Sequence, residues 1–101
     1  MPTTTSKLLF RGAAATGSTT LYTVPASTTA VVTNIVVTNT AGSSGTFTLG
    51  LNGTSLFTTA TIAANTTAMF DLKQVLTTTQ TITGLASATT INFHISGVEI
   101  V

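Results

Sequence analysis

The chain contains no cysteine and no tryptophan, and only 5% of its 101 residues are charged. Without cysteine there is no disulfide staple and no thiolate metal site. Stability must therefore come from packing, strand pairing and contact with other chains. Three basic side chains, Lys7, Arg11 and Lys73, are too few for a phosphate-binding stripe, so nucleic acid is excluded as a partner. No run approaches the roughly 18 apolar residues of a membrane-spanning segment. Residues 1–18 carry one lysine ahead of a very short apolar patch and lack the apolar stretch of a secretory signal. No membrane partner is expected. The glycines fit no phosphate-loop spacing, and no cofactor is expected.

The shortage of charge also bears on the surface. An ordinary soluble domain is roughly 25% charged. A compact chain of this mass exposes on the order of 5,300 Å², which leaves about one charge per 1,000 Å², and the net charge is only +1. A surface of this kind tends to associate. Much of it is expected to be covered in use.

What the chain has in quantity is hydroxyl: 27 threonines and 8 serines. Threonine is β-branched and favours extended backbone, where its methyl packs and its hydroxyl stays wet. Mean hydropathy is +0.54 and 43% of residues are hydrophobic, which argues against disorder.

The order of segments predicts strands. Residues 1–5 read as a loose terminus, residues 6–12 as a short strand, and residues 13–18 as a flexible connector. Residues 19–24 form a strand that Pro25, Ala26 and Ser27 turn sharply. In residues 28–40 the apolar side chains fall on both parities, with Val31, Ile35 and Val37 against Val32 and Val36. That pattern fits a strand buried on both faces or one bent by a bulge. Residues 46–52 alternate cleanly, and Asn52-Gly53 is the strongest hairpin signal in the chain. Residues 66–76 are expected to be mostly strand, with a helical turn about Leu72–Leu76 as the alternative. In the last strand, Ile91, Phe93 and Ile95 give way after Gly97 to Val98 and Ile100, and this change of parity predicts a bulge or bend at the glycine.

Eight or so short strands, with turns every 8–12 residues, predict an all-β fold: an antiparallel β-sandwich or a small jelly-roll-like barrel. The chain divides into residues 1–18, an N-terminal arm or first strand plus flexible connector, and residues 19–101, the β-sandwich domain.

No catalytic group is expected. His94 is the single histidine and lies on the polar parity of its strand, where a surface or interface role is the expectation. Asp71 and Glu99 are the only carboxylates, and no serine stands in an elbow-like context to complete a triad. A glycosidase-type pair would require Asp71 and Glu99 to converge in a cleft, and the chain has no tryptophan and a single tyrosine for sugar stacking. Thr-x-Thr pairs at residues 38/40, 46/48, 59/61 and 81/83 would form an ice-binding array only if stacked in register. Their irregular spacing favours ordinary strand-surface threonine.

Residues 19–49, "TTLYTVPASTTAVVTNIVVTNTAGSSGTFTL", followed by the terminal "HISGVEI", resemble small virion structural proteins of tailed bacteriophages. The likeness is best at residues 21–40 and 94–100. Ser27 stands where a glycine often follows the Pro-Ala corner in such proteins. The resemblance implies a non-enzymatic virion protein, located in the virion and assembled in the host cytoplasm. Its expected role is that of a capsid decoration or cement protein that oligomerises on the outer surface of the head. The expected partners are further copies of itself, with a trimer favoured, and the major capsid protein or other virion proteins. A neck or tail component is the alternative, and a carbohydrate-binding or adhesin module a more distant one. The expected interface lies in the amino-terminal segment, at Leu8, Leu9, Phe10 and Arg11.

Overall fold

Eight strands account for nearly all of the computed structural model, which describes residues 3–101. They are β1 (Thr4–Ala13), β2 (Thr19–Thr23), β3 (Thr29–Asn39), β4 (Gly45–Leu51), β5 (Thr54–Ile62), β6 (Thr66–Leu76), β7 (Thr81–Ala86) and β8 (Ile91–Ile100). They form two four-stranded sheets, β1-β8-β3-β6 and β2-β7-β4-β5, and every pairing is antiparallel.

The pairing follows a simple rule. The first strand pairs with the last, β2 with β7, β3 with β6 and β4 with β5. The chain is thus one long hairpin, closed at Asn52-Gly53, that has been rolled up so that β3 also meets β8 and β4 also meets β7. This is the jelly-roll form of the β-sandwich. The closing turn has φ 49° at Asn52 and φ 81° at Gly53, the two left-handed positions of a type I′ turn. Every other connection crosses from one sheet to the other.

The core lies between the sheets. Ile35, Val37, Ile91, Phe93 and Ile95 come from one side, and Phe47, Leu49 and Ile82 from the other, all buried. Phe47 meets Phe93 edge-on with ring centroids 6.2 Å apart, and at the β5/β6 side Phe57 and Phe70 lie 4.5 Å apart. Aromatic pairs at these separations add to the burial term.

Several expectations are corrected or completed. β3 is the interior strand between β8 and β6, and it changes parity at a bulge. The register skips Thr33, with Ala30 and Val32 inward before it and Ile35 and Val37 inward after it. Residues 66–76 are strand throughout, with no helical turn. The expected bulge at Gly97 is absent, because β8 runs through it in unbroken register with β1. The irregularities lie instead in the two neighbours, at Leu9 of β1 and Thr33 of β3. Gly97 is glycine for want of room: a Cβ there would stand 2.1 Å from the Val31 carbonyl oxygen and 3.0 Å from Leu9 Cδ1. Thr4 and Thr5, expected in a loose terminus, are paired with Ile100 and Glu99, and Thr3 exchanges two backbone hydrogen bonds with Val101. Met1 and Pro2, also placed in that terminus, lie outside the described residues.

Two polar side chains hold the connections. Asn39 is buried at the end of β3, where its amide nitrogen donates to the carbonyls of Ser43 (2.9 Å), Ala63 (3.3 Å) and Ile62 (3.4 Å). Its oxygen accepts from the Ala41 amide at 3.0 Å. One side chain thereby ties the β3–β4 turn to the end of β5. At the Pro25 corner, Thr28 donates its amide to Thr78 Oγ1, which donates back to the Thr28 carbonyl. Ser27 takes φ 54° there, a left-handed backbone that glycine adopts without cost.

Candidate functional site

A sandwich presents two outer faces, and here they differ in kind. The face of β2-β7-β4-β5 is made of hydroxyls. These four strands contain no charged residue, and neither does any turn that joins the strands. Outward positions include Thr20, Thr83, Thr48, Thr46 and Thr61, with Gly50 and Ser55 beside a shallow groove of about 270 Å³. Thr20 and Thr23 of β2 stand opposite Thr83 and Thr81 of β7, and Thr46 of β4 opposite Thr61 of β5. Across the middle of the sheet the threonine pairing fails: Thr48 pairs with Leu85, and Thr83 with Gly50. No regular hydroxyl lattice results.

The other sheet carries all five charges: Lys7 and Arg11 on β1, Asp71 and Lys73 on β6, and Glu99 on β8. Its outer face can be read as cross-strand rows. Ser6, Val98, Val31 and Val75 form one, Leu8, Ser96, Asn34 and Asp71 the next, and Arg11, His94, Val36 and Met69 the third. Leu8 is 48% exposed, Val75 61% and Met69 73%. With Val101 at the end of β8, these are the large exposed hydrophobic side chains of the described residues, and none belongs to the other sheet. The sequence signal for this face was the change of parity at Gly97. Val98 and Ile100 fall on the outer face, opposite Ser6 and Val31 and opposite Thr4 and Thr29.

The expected interface segment is a strand with two sides. Leu9 is buried in the core and Phe10 packs against it. Leu8 and Arg11 remain on the outer face, where a neighbour can reach them. The carboxylates do not converge. Asp71 lies on the outer face and accepts a hydrogen bond from Asn34 Nδ2 at 3.1 Å. Glu99 points inward, accepts the phenol proton of Tyr22 from the opposite sheet, and has Lys7 Nζ 3.8 Å away. Burial, reinforced by the hydrogen bond and the charge of Glu99, raises the Tyr22 phenol above its ordinary value. His94 sits between Arg11 and Val36 with neither carboxylate as its cross-strand partner. No group of three or more His, Cys, Asp or Glu side chains placed to hold a metal occurs among the described residues.

Several solved structures are similar to this chain. A chain of the T13 infectious bursal disease virus particle matches over 98% of this chain with a TM-score of 0.57 and 10% identity. A chain of the Gx strain of that virus matches over 98% with a TM-score of 0.53 and 13% identity. A chain from Bacillus endospore appendages, described as disulfide-linked pili, matches over 99% at a TM-score of 0.47 and 16% identity. This chain spans 30% and 31% of the length of the two viral chains. No family model and no curated protein matches it. At such low identity the likeness to the viral chains shows a shared fold alone.

Proposed function

We propose that this chain is a non-enzymatic structural protein of a virus particle, and that it is a decoration or cement protein on the outer surface of a tailed-bacteriophage head. The jelly roll by itself does not select this role, since lectins and other proteins use the same architecture. The observation that carries the reading is the division of the surface: one whole sheet and every turn are uncharged, on a molecule exposing 5274 Å². Packing against neighbours costs least where no charge must be stripped of water. Open edge strands add backbone donors and acceptors that a neighbour can pair. The resemblance of residues 19–49 and 94–100 to phage virion proteins, and the shared fold with chains of a viral particle, point the same way.

The test is reconstitution. Particles made without this chain are mixed with the purified protein and sedimented. Saturable binding to intact heads, with a gain in resistance to heat or osmotic shock, supports the proposal. Binding confined to necks or tails, at about a dozen copies, makes it a neck or tail component. Binding to glycans with none to particles replaces it with the adhesin reading.

A further inference from the structure

We infer that the outer face of the β1-β8-β3-β6 sheet is a self-association surface, through which two copies pack face to face about a two-fold axis running parallel to the strands. This deepens the reading above by naming the first partner as a second copy of the chain, and it rests on that reading for its purpose. Its test needs no particle, so the two stand or fall separately.

Three observations converge. The first is where the apolar side chains are: Leu8, Val75 and Met69, all strongly exposed, lie on this face, with Val31 and Val98 between them. The second is area. Four strands spaced about 4.8 Å apart, over ten residues at about 3.3 Å each, give a face of roughly 19 by 33 Å. Two such faces cover about 1,200 Å², the lower bound for a specific stable interface. The third is charge. Arg11 lies on β1 at one edge of the face and Asp71 on β6 at the other. Arg11 has no ion-pair partner among the described residues, and Asp71 has only the neutral Asn34.

The two-fold operation exchanges the edges, so that β1 of one copy stacks over β6 of the other. Arg11 and Asp71 occupy adjacent rows, two residues apart along the strand, or about 6.6 Å. An arginine side chain spans that distance, so Arg11 of each copy meets Asp71 of the partner subunit, and the pair forms twice by symmetry. Lys73 lies beyond Asp71 on β6, farther from Arg11, and Lys7 is already paired with Glu99 of its own chain. Near the centre Val31 faces Val98 of the partner subunit. This arrangement takes the place of the trimer expected from the resemblance.

The experiment is sedimentation equilibrium on the purified chain, with four variants: Arg11→Asp, Asp71→Arg, the double exchange, and Val75→Lys. All changes are on the outer face, and circular dichroism with a thermal melt checks that each remains folded. The wild type should weigh twice 10.2 kDa at tens of micromolar. Each single charge reversal should weaken association at least tenfold, the double exchange should restore it, and Val75→Lys should leave monomers. If Asp71→Arg does not fold, Arg11→Asp and Val75→Lys still decide. A wild type that is monomeric at hundreds of micromolar or trimeric overturns the inference. So does a dimer that folded Arg11→Asp and Val75→Lys leave unchanged.

Discussion

Tyr22 of β2 donates its phenol hydrogen to Glu99 of β8, which joins the two sheets at the end of the sandwich where Lys7 also reaches the carboxylate. Folding raises the phenol's pKa, first through burial and then through Glu99. A group whose folded pKa lies above its unfolded value of about 10 contributes its full stability below that pH and loses it as pH rises further. The wild type should therefore lose thermal stability above pH 10 more steeply than Tyr22→Phe, measured as Tm from pH 7 to 11. At pH 7 the variant should be about 1–3 kcal/mol less stable, because a hydrogen bond to a charged group is lost. Identical alkaline slopes would contradict this role.

Gly97→Ala should be severely destabilising. The added carbon meets backbone, the Val31 carbonyl oxygen, with no flexible side chain to yield. Urea unfolding should show a loss of about 3 kcal/mol or more, at or above the upper end for overpacked sites. A loss under 1 kcal/mol would mean that β3 and β8 are not held as closely as described.

Asn39→Ala should cost about 2–3 kcal/mol, since it strands the Ala41 amide and up to three carbonyls at a buried site. Asn39→Asp keeps the acceptor but removes both donors and buries a charge, so it should be at least as damaging. Urea midpoints of the two variants test this directly.

Thr79 has φ 70° and Thr59 φ 46°, left-handed conformations that a β-branched side chain adopts at a cost. Asparagine tolerates that region. Thr79→Asn should raise stability by about 0.5–1 kcal/mol, read as an increase in Tm, and Ser27→Gly should be neutral or mildly stabilising for the same reason. A loss of stability in Thr79→Asn would show that the threonine has a role beyond the turn.

Much of the architecture was legible because local signals agreed with one another. Asn52-Gly53 marks the closing hairpin, the proline corner separates β2 from β3, and β4 alternates cleanly between Phe47, Leu49, Leu51 and the residues between them. Gly97 misled in a physical way. A change of apolar parity reads as a bulge when one face is taken to be solvent, yet here β8 carries no bulge of its own, the irregularities lie in β1 and β3, and the outer face turns apolar at Val98 and Ile100. The amino-terminal segment was ambiguous for a related reason: a bulge at Leu9 puts Leu9 and Phe10 against the core and leaves Leu8 outside. Asn39 gave no warning, because one asparagine ahead of a turn is common and its partners are 2 to 24 residues away in sequence. The gathering of all charge onto one sheet depends on which strands are neighbours, a property of the rolled topology.

The central claim is that this sandwich belongs to the exterior of a virus head. The most direct measurement is quantitative mass spectrometry of density-purified virions made from the genome that encodes this chain, with intact heads separated from tails. The account predicts the chain on the head fraction, in hundreds of copies per particle and accessible to surface labelling. Its absence from purified virions, with the protein found elsewhere in the infected cell, would contradict it.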